Sequence, residues 1–133
     1  MKEIVTSDNS KISVYHAKSL SVPKANLVVI QEVFGVNQHI KNVCDKFAKD
    51  GFNTAAPAIF DRIEKNIDYG YSAEELQKGI ALVGKVKWDN VFIDIEATIK
   101  LLNSDNTLPT FIVGYCFGGV LSVITPTPLS VNT

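Results

Sequence analysis

The hydrophobic positions of this chain follow two periods. Lys11 to His16 alternates, with Ile12 and Val14 on one side and Lys11, Ser13 and Tyr15 on the other. That pattern predicts a half-exposed strand near a sheet edge, ending in a solvated His16. Leu27 to Ile30 is a continuous apolar run, the signature of a central parallel strand buried on both faces. Ile40, Val43, Cys44, Phe47 and Ala48 then recur at helical spacing, on a helix that Asn37 can cap and Gly51 can stop. Phe52 to Ala56 reads as the next strand, closed by Pro57.

Ser72-Ala73-Glu74-Glu75 fits a capping box, Ser72 reaching forward and Glu75 back. The helix it opens carries Leu76, Ile80 and Val83 and ends near Gly84. Asp89 can cap another, with Phe92, Ile95, Ile99 and Leu102 inward and Asp94 and Lys100 outside. Asp94 and Glu96 sit mid-helix, as solvated or bracing groups. Ser21–Asn26, the polar stretch up to Gly70 and Asn103–Pro109 read as turns and loops, and Thr110 to Val113 as a last strand. Strand, helix, strand, helices, strand is a βαβ order. It implies an α/β fold, a mostly parallel sheet flanked by helices.

At 133 residues the chain is one domain or part of one, and 46% hydrophobic with 20% charged residues places it among globular proteins. The net charge of −1, from 13 basic and 14 acidic residues, offers no field for nucleic acid or an anionic membrane. No apolar stretch is long enough to span a bilayer, and Met1-Lys2-Glu3-Ile4-Val5 lacks the apolar run of a signal peptide. Two cysteines without framework spacing suggest free thiols and a cytoplasmic setting. Cys44 falls on the core stripe of its helix and reads as packing.

Candidate chemistry gathers at the carboxyl ends of the strands, where open α/β sheets bind ligands. The strand Thr110–Val113 runs into Gly114-Tyr115-Cys116-Phe117-Gly118-Gly119. A G-x-nucleophile-x-G turn holds one side chain out between strand and helix, here the thiol of Cys116, with the Phe117 N–H as half of an oxyanion hole. At a helix N-terminus a thiolate would form more readily. Cys116 as a small packing residue and the loop as a phosphate cradle are the competing readings. The second lacks the glycine that the dinucleotide fingerprint needs at position 116. Glu32, in Gln31-Glu32-Val33-Phe34-Gly35, and Arg62, after Pro57, lie at the same edge. On local evidence Arg62 is a salt-bridge donor or a carboxylate clamp. His39, in the first turn of its helix, could reach that edge as a base, although nothing near it in the sequence is placed to orient it.

Three stretches in order, Glu32-Val33-Phe34-Gly35-Val36-Asn37, Ala56-Pro57-Ala58-Ile59-Phe60-Asp61-Arg62 and Gly114-Tyr115-Cys116-Phe117-Gly118-Gly119, resemble the dienelactone hydrolase family, cysteine hydrolases of the α/β-hydrolase fold. The resemblance runs from about Leu27 to Gly119. It implies that Cys116 attacks the carbonyl of a lactone or small ester and that Glu32 controls when the thiol becomes a thiolate. The N–H groups of Val33 and Phe117 match the oxyanion hole, and Arg62 matches an arginine that binds the substrate's carboxylate. Neither metal nor organic cofactor is expected.

The chain then departs from the family. The α/β-hydrolase order is nucleophile, acid, histidine. No Asp, Glu or His follows Cys116, and nothing charged follows Asp105. No histidine remains to protonate a leaving group, nor an acid to orient one. Thr125-Pro126-Thr127-Pro128 would stop the helix behind the elbow within about two turns. The expectation is therefore the N-terminal half of an α/β-hydrolase domain over residues 1–124 with an aberrant tail at 125–133. Such a half-domain would be inactive as coded and bare at one sheet edge, where it could self-associate. The alternatives are a non-catalytic fragment and a thiol sensor or small-anion binder.

Overall fold

The computed structural model describes residues 1–104 and 108–114. Five strands form one mixed sheet in the order β1-β2-β4-β3-β5. They are β1 (Lys2–Val5), β2 (Lys11–Ala17), β3 (Ala25–Ile30), β4 (Phe52–Pro57) and β5 (Thr110–Gly114). Three helices accompany them: α1 (Gln38–Lys49), α2 (Ala73–Val83) and α3 (Trp88–Asn103). β4, β3 and β5 are parallel neighbours, while β2 runs antiparallel to both β1 and β4. The expected tail at 125–133 lies outside the described residues.

The double burial read from Leu27–Ile30 extends over all of β3. Successive side chains of a strand point to opposite faces. Val28 and Ile30 join Ile12, Val14, Ala55, Val91, Ile95 and Leu102 on one face, while Leu27 and Val29 join Ile40, Cys44 and Ala56 on the other. One core thus lies under α3 and a second under α1. Asn37 caps α1 as expected, its side chain accepting from the Ile40 N–H at 3.2 Å, and Gly51 follows the helix at φ +100°.

Four local readings change. The first strand of the chain is β1, which pairs with β2 through Lys2↔Val14 and Val5↔Lys11, so the alternating strand lies one place in from the edge. The turn between them is closed by the Thr6 N–H to the Ser10 carbonyl at 2.8 Å, with Asn9 at φ +65°. α3 begins at Trp88 with Lys87 as its cap residue, placing Asp89 inside the first turn. The buried stripe of α3 is Val91, Asp94, Ile95, Thr98 and Leu102, so Asp94 faces inward rather than out. On α2 the buried residues are Gly79 and Leu82, leaving Leu76 and Ile80 exposed. The helix is turned this way because Gly79 seats its backbone against the Val33 carbonyl, only 2.2 Å from where a Cβ would stand.

Candidate active site

The candidate site grows from the loop that follows β3. Gln31 directly follows the wholly buried β3 and is itself buried, and a buried polar side chain needs partners. Its Nε2 donates to the Glu32 carbonyl at 3.2 Å, and its Oε1 accepts from the Ile59 N–H at 3.0 Å, tying this loop to the one after β4. The Gly35 N–H donates to the Glu32 carbonyl at 3.2 Å. Gly35 stands at φ +85°, and a Cβ there would lie 2.4 Å from the Ile67 carbonyl oxygen. Only glycine meets both conditions.

Residues 67–71, which begin inside the polar stretch read up to Gly70, form a strap across this turn. Gly35 bridges to Asp68, and the Tyr69 N–H donates to the Phe34 carbonyl at 2.9 Å. Asn37, besides capping α1, donates through Nδ2 to the Tyr69 carbonyl at 3.1 Å. The Tyr71 ring meets Phe34 edge-on, centroids 4.5 Å apart. Beyond the strap, Ser72 accepts from the Glu75 N–H at 3.1 Å, and Glu75 reaches back to the Gly70 N–H at 2.5 Å. Ser72 thus caps α2 as expected, while Glu75 reaches past it to Gly70, and these bonds hold the Glu75 carboxyl below its usual range.

Two of the expected site residues sit on this rigid turn. Glu32 is half-buried, and its Oε1 accepts a hydrogen bond from Tyr71 Oη at 3.0 Å. Val33 follows it, pinned from behind by Gly79. The bonds that fix the turn among the described residues use the Glu32 and Phe34 carbonyls, the Gly35 N–H and the side chains of Gln31 and Asn37. None of them uses the Val33 N–H.

The parallel register of β3 and β5 pairs Ile30 with Gly114. Glu32 lies two residues beyond the first and Cys116 two residues beyond the second. Cys116 and Phe117 themselves lie outside the described residues.

Arg62 belongs to a different cluster. It ends a short 3₁₀ turn, Ile59–Arg62, and its guanidinium is held between two carboxylates of the chain itself. Nε and Nη2 grip Asp94 Oδ1 at 2.9 and 2.8 Å, while Nη1 and Nη2 grip Asp8 at 2.8 and 3.0 Å. Nη1 also donates to Ser10 Oγ at 3.0 Å. All five N–H donors of the guanidinium are thereby taken. The resemblance gave this residue a substrate's carboxylate to bind; in the structure its donors are filled by Asp8, Asp94 and Ser10. Asp94 is fully buried, and its burial pushes the carboxyl up against the opposing pull of Arg62. The exposed Asp8 is drawn well below the carboxylate range, chiefly by Arg62 and then by the Thr6 hydroxyl. The cluster braces the β1–β2 turn, the 3₁₀ turn and α3 together, the bracing alternative for Asp94.

The other candidates are placed as follows. Cys44 is fully buried on the inner face of α1, and burial pushes its thiol up to about 12, outside the reactive range. His39 is exposed on the first turn of α1, and His16 is half-buried in β2 opposite Ala55. Among the described residues no group of three or more His, Cys, Asp or Glu is placed to hold a metal ion. No helix among them is long and apolar enough to cross a membrane. Sequence reasoning missed Tyr71, Gly79 and the second role of Asn37. The one available signal was Gln31, a polar residue closing a buried run.

A parallel α/β core with this turn at its carboxyl edge has the architecture of the α/β-hydrolase class. The dienelactone hydrolase family model matches residues 12–131, and the chain belongs to that family. A carboxymethylenebutenolidase homologue of Synechocystis is 35% identical over 122 residues, 86% of this chain and 48% of that one. Its counterpart in Escherichia coli K12 is 30% identical over 119 residues, 86% of this chain and 43% of that one. The crystal structure of a dienelactone hydrolase homologue from Klebsiella pneumoniae aligns with a TM-score of 0.76 at 25% identity, covering 98% of this chain and 55% of that one. The chain therefore spans about half the length of the relatives it matches.

Proposed function

We propose that this chain carries the nucleophile half of a hydrolase that cleaves a lactone or small carboxylic ester through Cys116. The observation that carries the reading is the β3–β5 register. Ile30 and Gly114 are paired at the carboxyl ends of neighbouring parallel strands, and Glu32 and Cys116 each follow their strand by two residues, which supports reading them as parts of one site.

In the proposed step the Cys116 thiolate sulfur adds to the substrate carbonyl carbon, and the carbonyl oxygen takes the negative charge. The Val33 and Phe117 N–H groups stabilise that oxyanion. Collapse of the adduct breaks the carbon–oxygen bond, and the leaving alkoxide takes a proton from solvent. A thioester on Cys116 remains, and water must hydrolyse it. No histidine or acid follows Cys116 in these 133 residues, so the triad partners of the family order are missing from them, and slow turnover of the thioester is part of the proposal. Arg62 enters as a brace that holds the 3₁₀ turn and, through Ile59 and Gln31, the floor of the site.

The test is 4-nitrophenyl acetate offered to the purified chain and to Cys116→Ala. The proposal predicts release of up to one nitrophenolate per chain, lost in the variant. Release that Cys116→Ala leaves unchanged would overturn it.

A second reading, a non-catalytic half-domain that associates through its sheet edge, is supported by β5. Among the described residues its only strand neighbour is β3, and Phe111 is 43% exposed. Paired edges bury such strands. This reading predicts a dimer or larger species in sedimentation that Phe111→Lys shifts to monomer, and a monomeric parent chain would dismiss it.

A further inference from the structure

The geometry points to Tyr71 as the positioning residue of the Glu32 carboxylate, and through it of the Cys116 thiol; this rests on the reading of Glu32 and Cys116 given above. The hydrogen-bond direction follows from Asn37. Its Oδ1 accepts from the Ile40 N–H, which fixes the orientation of the amide and leaves Nδ2 as the donating end. Nδ2 donates to the Tyr69 carbonyl at 3.1 Å and to Tyr71 Oη at 3.3 Å. With an N–H pointing at its oxygen, the Tyr71 hydroxyl turns its own proton outward, and Glu32 Oε1 lies there at 3.0 Å. The result is a polarised relay from the cap of α1, through a phenol, to the Glu32 carboxylate.

The ring makes the arrangement rigid. Tyr71 is 57% exposed, so burial alone does not hold it. Its edge contact with Phe34 and the strap bonds at Asp68 and Tyr69 do. A tyrosine anchored on one side and donating on the other sets where the Glu32 charge points and draws part of that charge away from its free oxygen. Without the hydroxyl the full charge is free to turn toward the thiol, and a neighbouring negative charge disfavours a thiolate.

The experiment is the rate of Cys116 alkylation by iodoacetamide across pH 6–9, located by peptide mass, in the parent chain, Tyr71→Phe, Glu32→Gln and the double variant. One such hydrogen bond is worth about a three- to tenfold change in rate. Tyr71→Phe is expected to slow alkylation near neutral pH by that factor and to have no effect once residue 32 is Gln. An equal slowing in both backgrounds would mean that Tyr71 acts through the fold and would overturn the inference. So would a silent Tyr71→Phe beside an altered Glu32→Gln, which leaves the Glu32 reading standing. Silence of both variants would overturn the inference together with the site it rests on.

Discussion

Arg62 and Asp94 form a two-point ion pair, Nε and Nη2 meeting Oδ1 at 2.9 and 2.8 Å, with the carboxylate wholly buried and the arginine side chain 14% exposed. Removing one partner of a buried pair leaves an uncompensated charge, which costs more than the intact pair contributes. Arg62→Ala should therefore lower stability by about 3–5 kcal/mol, read as a shift in the urea midpoint. Asp8→Asn, at the solvent side of the same guanidinium, should shift it far less. An unchanged midpoint in Arg62→Ala would remove the brace from the account.

Gly79 sits within α2 with its Cα backed against the Val33 carbonyl. Helix propensity alone says that Ala here stabilises by about 1 kcal/mol. The 2.2 Å approach says the reverse, because a Cβ must push the Val33 turn aside, costing about 1–3 kcal/mol. Gly79→Ala is expected to lower the thermal midpoint and to weaken reaction at Cys116, since the displaced group carries the proposed oxyanion N–H. Gly84, at φ −62° with nothing nearer than 3.4 Å, is the control. Gly84→Ala should be neutral or stabilising by up to about 1 kcal/mol. Matching effects at the two glycines would contradict the packing described for α2.

The pH dependence of stability should bend above pH 9. Burial raises the Cys44 thiol from its ordinary 9 to about 12, so between those values the unfolded chain has lost a proton that the folded chain keeps. Stability from this group is complete below pH 9 and falls at about 1.4 kcal/mol per pH unit up to about 12. Tyr15 adds to the fall above pH 10, since its bond to Asp45 at 2.6 Å raises it to about 12. Cys44→Ala should remove about one proton's worth of slope between pH 9 and 10. The slope of the unfolding free energy against pH is the quantity to compare, because the variant also opens a cavity. An identical slope would contradict the burial of this thiol.

The parts of the fold legible in the sequence were those set by local periodicity. β3 showed as an unbroken apolar run, α1 as a stripe between Asn37 and Gly51, and the start of α2 as a capping box. Each depends on residues within about one element of each other. Asp94 was misread because its inward direction depends on Arg62, 32 residues away, which makes a buried carboxylate tolerable. α2 was rotated by one close approach, Gly79 to Val33, that no periodicity records. β1 was missed because its four residues take their stability from the register with β2 and show no pattern of their own. Of the candidate site, Glu32 and Val33 were singled out through their family context and lie on the fixed turn after β3, while the bond from Tyr71 to Glu32 forms only when the strap folds over that turn.

The most direct test of the account is the intact mass of the chain after incubation with 4-nitrophenyl acetate, followed by peptide mapping. The account predicts one acetyl group per folded chain, on Cys116, persisting in these 133 residues because none of those after Cys116 is a histidine, and none on Cys44 or in Cys116→Ala. A folded chain that stays unmodified, or carries the acetyl group elsewhere, would contradict the claim that Cys116 attacks esters.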